Sequence, residues 1–248
     1  MFFVIDIGYM FLATHNILNR CRMLLPIFLH KIPNYDKMKL TNKKWRNESM
    51  DKEKFLQQAL RIKDPELLSR FAASSDVKHF KKGSFLIQAD DRQEYADMIV
   101  SGIFRGFFID YQGRDITDGF FYQKGEIAMG CHGFNKPAII SIESLTESDV
   151  LHIPIPEISR LLEEYHELSV VYTNILMKAL DDHWKIKSAI YQYTAIDRYQ
   201  WFMRTYPELL HTVPNKYIAS FLNVTPVTLS RIKAKLKAAE ADQKEKPL

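Results

Sequence analysis

Between Asp51 and Ser75 apolar residues return at helical intervals: Phe55, Ala59 and Ile62, then Leu67, Leu68 and Phe71. Polar residues fill the gaps, the pattern of helices with one buried face. Asp64-Pro65 divides the stretch, because a capping aspartate followed by a first-turn proline opens a second short helix. From about Val77 the pattern changes to short runs: "VKHFKKGSFLIQADDRQEYADMIVSGIFRGFFIDYQGRDITDGFFYQKGEI". Lys82-Gly83, Asp90-Asp91, Ser101-Gly102, Gln112-Gly113 and Lys124-Gly125 punctuate it as turns. Strands at this spacing, continuing to "DVLHIPI", predict a small antiparallel β-roll, a double-stranded jelly-roll-like sheet. Pro156 then opens "PEISRLLEEYHEL", and helical spacing persists to about Tyr193. The fold class expected is α+β.

Within that long run Leu168, Tyr172, Leu176, Leu180, His183 and Ile190 share one register, interrupted by Lys187. A helix of ~25 residues is roughly 38 Å long, more than a small domain needs internally. It could lie buried along its own roll or form the seam of a two-stranded dimer. Polar His183, flanked by Asp181, Asp182 and Lys185, narrows the stripe and favours the seam.

The segment "NVTPVTLSRIKAKL" at 223–236 predicts a different structure. A first helix, Lys216 to Leu222, packs through Ile218, Ala219 and Leu222. Asn223 stands at a turn where left-handed backbone is wanted; Gly is usual there and Asn is next best tolerated. Thr225 caps a second helix, and Pro226 fits its first turn, where no amide hydrogen is needed. Leu229, Ile232 and Leu236 fall on its inner face, with Val227 and Arg231 opposite, flanked by Thr228, Ser230 and Lys235. This spacing is the helix-turn-helix pattern. Many plain helical hairpins match it, so charge must arbitrate.

The net charge of +4 hides an uneven distribution. Residues 1–49 hold eight basic against three acidic residues, and the remainder is nearly balanced, with 26 against 27. Yet from Leu209 to Ala239 there is no acid, while Lys216, Arg231, Lys233, Lys235 and Lys237 are all basic. A one-sign island in a neutral protein is a candidate phosphate-facing surface. Arg231 is the candidate for a base edge, since its fork matches the two acceptors of guanine, and Val227 for a thymine methyl. Thr225, Thr228 and Ser230 suit phosphate or base hydrogen bonds, and Lys216, Lys233 and Lys235 suit phosphates. Each lysine taken alone reads first as a solvated charge and only second as a phosphate contact.

Other chemistry finds little support. Two cysteines, Cys21 and Cys131, make no disulfide framework, and no Cys/His group has metal-site spacing, so no metal or cofactor is expected. Cys131-His132 is the one nucleophile–base adjacency, and no phosphate loop, Gly-x-Ser-x-Gly or metal-helix motif appears, so no catalytic residue is assigned. A reducing cytoplasm is the simplest setting. The first stretch, "MFFVIDIGYMFLATHNILNRCRMLLPIFLHKIP", never runs apolar for the ~18 residues a membrane span needs. It also lacks a basic start, since no Lys or Arg precedes Arg20. Met50 begins a polar, helix-forming "MDKEKFLQQAL", and Trp45-Arg46 just upstream could be encoded by a ribosome-binding purine run. Residues 1–49 therefore read as a doubtful extension.

The order of helix, roll, long helix and terminal helix-turn-helix resembles the Crp/Fnr family of bacterial transcription regulators over residues 55–237. "IASFLNVTPVTLSRIKAKL" is similar to that family's recognition segment. "KGEIAMG" at 124–130 and "IESLTESDVLHIP" at 142–154 resemble its phosphate-cassette region and final strand. The resemblance implies a homodimer whose paired recognition helices read a near-palindromic site on double-stranded DNA, with half-sites ~10 base pairs apart. It implies an effector pocket, with Gly125, Glu126, Met129 and Lys136 as candidates and the small molecule unidentified. The family's cyclic-nucleotide binders set a Glu on the ribose and an Arg on the phosphate. Here Gly125-Glu126 matches instead the Gly-Asp ahead of the cassette, and no Arg lies between Arg114 and Arg160. Lys136 offers only a point charge, which argues against cyclic AMP. Val227 also stands where the family often has an acid, leaving Arg231 without its orienting partner.

The expected organisation is an extension at 1–49, a cyclic-nucleotide-binding-like roll with leading helices at 50–155, a dimerisation helix at 156–193, and a DNA-binding domain at 194–248. The alternative is a small-molecule receptor or protein-interaction module that binds no DNA.

Overall fold

The structure is a computed structural model, and it describes residues 50–131, 133–134 and 136–244. The expected extension, Cys21 within it, and His132 lie outside the described residues. Among the described residues no helix is long and apolar enough to cross a membrane.

Helices α1 (Lys52–Leu60) and α2 (Pro65–Ser74) begin where aspartates accept the free amides of a first turn. Asp51 accepts from the Lys54 amide at 2.9 Å and Asp64 from the Leu67 amide at 3.0 Å. Eight strands follow: β1 (Asp76–Phe80), β2 (Phe85–Ile87), β3 (Tyr95–Ser101), β4 (Phe104–Ile109), β5 (Asp115–Phe121), β6 (Ile127–Ala128), β7 (Ser141–Ser144) and β8 (Ser148–Pro154). They form two four-stranded antiparallel sheets, ordered β1-β8-β3-β6 and β2-β7-β4-β5. The five turns expected from sequence each hold a left-handed residue: Gly83, Asp90, Gly102, Gly113 and Gly125. At Gly102 a Cβ would sit 2.0 Å from the Ser148 hydroxyl oxygen, so no side chain fits.

The space between the sheets is filled by Ile99, Phe104, Ala128, Ile140, Ile142 and Val150. The outer face of the first sheet, with Ala96, Met98, Leu151 and Ile153, packs under Phe55, Leu56, Leu67 and Phe71 of α1 and α2. Strand alternation thus serves two cores at once.

After the roll come α3 (Ile155–Glu164) and α4 (His166–Gln192), two helices where the helical spacing predicts one run. Tyr165 breaks the run with extended backbone at φ −120° and ψ 108°. Long-range partners hold the break: Arg70 of α2 donates to the Tyr165 hydroxyl at 3.0 Å and pairs with Glu164. Glu167 accepts from the Lys63 and Asp64 amides at 2.9 and 3.1 Å. Within α4, Leu168 is buried in the helical core, and Tyr172 is half-buried beside Phe134. The exposed stripe runs through Val170, Met177, Leu180, Trp184 and Tyr191, at heptad spacing with Thr173 and Lys187 between. Of the expected register Leu176, Leu180, His183 and Lys187 are exposed too, whereas Leu168 is buried and Tyr172 and Ile190 are half-buried.

The chain ends in α5 (Ala195–Thr205), a 3-10 turn at Pro207–Leu209, α6 (Asn215–Phe221) and α7 (Pro226–Lys244). Their core of Tyr199, Phe202, Leu209, Ile218, Phe221, Leu229 and Ile232 also takes in Phe120 and Leu145 of the roll. Phe120 meets the Phe221 ring at 5.5 Å between centroids. The terminal helices are docked on the second sheet rather than strung beyond it.

Candidate nucleic-acid interface

Helix α6 ends as the sequence requires. The Asn223 amide donates to Ser220 and the Val224 amide to Ala219, both at 3.0 Å. This pair of bonds around a left-handed residue, Asn223 at φ 52°, is the Schellman closure of a helix end. Two residues on, the Thr225 hydroxyl accepts from the Thr228 amide at 3.1 Å and caps α7, with Pro226 in its first turn. Ala219 is fully buried where the helices approach, and Leu229 and Ile232 anchor α7 on α6 and α5.

The other face of α7 is open. Arg231, Ser230 and Lys235 are exposed, and Val227 is 60% exposed, unusual for a valine. Lys216 on α6 is also exposed, with its ammonium 4.6 Å from the Tyr217 ring centroid. Among the described residues no ion pair engages Lys216, Arg231, Lys233 or Lys235, so their charge is uncompensated locally. Three expected contact residues carry internal bonds as well. Lys233 is half-buried, its Nζ donating to Asn215 Oδ1 at 2.5 Å and lying over the Tyr199 ring. The Thr225 and Thr228 hydroxyls bond each other at 2.9 Å.

The roll's candidate residues do not converge. Gly125 turns at φ +85°, and a Cβ there would come 2.7 Å from Ala59 Cβ. Glu126 bends back to accept from the Tyr122 and Gln123 amides, both at 3.0 Å. Burial raises its carboxyl above the usual range against those bonds. Met129 packs into the helical core, and Lys136 is exposed. Gly130 leaves no room for a longer residue: a Cβ would meet Ala138 Cβ at 2.7 Å and the Ile140 carbonyl at 2.9 Å.

Elsewhere a pocket of about 340 Å³ opens beside Leu86, Tyr95, Asp97 and His152. His152 stacks on Tyr95 at 3.7 Å between centroids. Its Nε2 lies 2.7 Å from Lys78 Nζ and its Nδ1 2.6 Å from Asp97 Oδ1. An ammonium only donates, so with Lys78 charged the ring proton sits on Nδ1 and points at Asp97. Burial raises the Asp97 carboxyl, partly offset by that bond. The most buried cation of the roll, Arg105, is 1% exposed and faces α6. Sequence spacing identified none of these residues, because their partners lie on other strands or on a helix.

The geometry defines a class, a two-sheet roll joined through a long helix to a helix-turn-helix. Residues 77–165 match the family described as cyclic nucleotide-binding domain. The chain shares its fold with FixK2 from Bradyrhizobium japonicum at a TM-score of 0.60 and 16% identity, over 67% of this chain and 86% of that one. The c-di-GMP-responsive global regulator CLP of Xanthomonas campestris aligns at 0.57 and 17%, over 71% and 93%. A protein from Eubacterium rectale described as a transcriptional regulator of the Crp/Fnr family aligns at 0.58 and 14%, over 71% and 85%. No curated protein matches the sequence. The fold is the one these three structures share, in keeping with the architecture that the sequence resemblance implied.

Proposed function

We propose that the protein is a sequence-specific, homodimeric DNA-binding transcription regulator whose roll does not respond to cyclic AMP. The observation that carries this reading is the open face of α7. Arg231 and Val227 stand four residues apart on one exposed side of a capped, anchored helix, with uncompensated lysines around them. Direct base readout needs that arrangement, and phosphate contacts to Lys216 and Lys235 would set the register. The exposed heptad stripe of α4 supports pairing of two copies through Met177, Leu180, Trp184 and Tyr191. Two copies would then read half-sites about one DNA turn apart, ~10 base pairs. The absent ribose acid, the tight packing at Gly130 and the exposed Lys136 support a roll that has lost the cyclic-nucleotide chemistry.

The test is selection of bound duplexes from a random pool, followed by anisotropy titrations of the full chain on selected and random DNA. A selected palindromic site bound far more tightly than random DNA is expected. Binding of no duplex at low salt would refute the proposal and leave a receptor or interaction module.

A further inference from the structure

The guanidinium of Arg105, on β4, is held from every direction. Its Nε donates to Glu143 at 2.7 Å, Nη1 to Asp115 at 2.6 Å and to Thr117 at 3.1 Å, and Nη2 to Asp115 at 2.8 Å. Four of its five N–H donors are thereby used. Its plane is flanked by rings, Phe107 of its own strand at 4.1 Å and Tyr217 of α6 at 3.7 Å. Beside it the Ser220 hydroxyl accepts from the Thr117 amide at 2.9 Å and donates to the Asp115 carbonyl at 3.1 Å. The first helix of the helix-turn-helix is thus bonded to the edge strand β5 of the second sheet and stacked on its outer face through Tyr217.

We infer that Arg105 is a positioning residue for DNA recognition: the Arg105–Tyr217 stack and the Ser220 bonds fix the angle at which α6, and with it α7, is presented. The inference rests on the DNA-binding reading. Apolar contact between Phe120 and the terminal core already attaches the helices, but burial of apolar area is non-directional. A fork in a fixed plane, stacked on a ring, is directional, and a buried ion cluster is a weak source of stability compared with apolar packing. Its value lies in orientation. Because Asn223 and Thr225 couple α6 rigidly to α7, an error in the seat becomes an error in where Arg231 meets the duplex.

The experiment compares the full chain with Tyr217→Ala, Arg105→Met and the double variant. Tyr217→Ala keeps the charged cluster of the roll intact should Arg105→Met fail to fold. Two measurements are made: hydrogen exchange of the β5 and α6 peptides without DNA, and anisotropy on the selected site, on versions with half-sites moved by one base pair, and on random duplex. In Tyr217→Ala exchange should rise about tenfold in α6 and at Thr117, with β1 and β8 unchanged. Affinity for the selected site should fall about tenfold and the penalty for altered spacing should shrink, with random-duplex affinity unchanged. The double variant should lose no more than the worse single one. Unchanged exchange, equal losses on all duplexes, or an undiminished spacing penalty would each overturn the inference. If the unmodified chain binds no duplex, the DNA-binding reading and this role fall together, and exchange then reports only whether the seat holds α6.

Discussion

Replacing Asn223 separates the turn geometry from every other feature of the terminal helices. Its backbone sits at φ 52°, where it closes α6 with two 3.0 Å bonds and is exposed, so its side chain packs against little. A β-branched residue there meets its own carbonyl oxygen, at a cost of roughly 1–2 kcal/mol per left-handed residue, whereas glycine meets nothing. Asn223→Val should therefore destabilise the chain by roughly 1–2 kcal/mol, and Asn223→Gly should change stability by only a few tenths. For a chain of this size each 1 kcal/mol moves the melting temperature by about 2–4 °C. Thermal unfolding followed by circular dichroism should place the valine variant about 2–8 °C below the glycine one. Equal melting temperatures would refute the reasoning, since a turn that tolerates valine is not held left-handed. The same loss should appear in DNA affinity, because Val224 and Thr225 follow directly into the α7 cap.

His79 lies between Glu147 and Asp149, one at each ring nitrogen, and the hydrogen bonds to Asp149 and then Glu147 raise its pKa above 6.5. Stability from this group is fully present below 6.5 and is lost as pH rises through the raised value; the site is exposed, so screening keeps the effect below about 1 kcal/mol. An NMR titration of its ring should show a midpoint above 6.5 that falls in Asp149→Asn; a midpoint at or below 6.5 would remove the clamp. Gly102→Ala should cost about 3 kcal/mol or more by chemical denaturation, since it joins positive φ to a clash with Ser148 backbone and side chain; a near-neutral result would contradict the packing. Trp184→Glu should shift sedimentation from dimer to monomer, and an unchanged dimer would move the seam off this stripe. Millimolar cyclic AMP should leave the melting temperature unchanged, while a shift of several degrees would restore a nucleotide site.

What the sequence revealed divides along the range of the interactions. The five roll turns, the Asp64 cap, the Asn223 turn and the Thr225 cap carry their signal in adjacent residues, so spacing alone located them. The inner and outer faces of α7 were legible for the same reason. The break at Tyr165 was not, because Arg70 and the Lys63–Asp64 amides that stabilise it come from the other end of the roll. Leu168, the first residue of the expected seam, turns instead into a core built with α1 and α2, partners that helical spacing does not reveal. Arg105 carried no signal either. A lone arginine in a strand looks solvated until Asp115, Glu143 and Tyr217 surround it.

The central claim is tested most directly by a salt titration of duplex binding with the unmodified chain and Arg231→Ala. The account predicts that log affinity falls steeply and linearly with log salt for both proteins, as released counterions require. It also predicts that Arg231→Ala loses about 1–3 kcal/mol on the selected site and far less on random DNA. Salt-independent binding, or equal losses on the two duplexes, would contradict it.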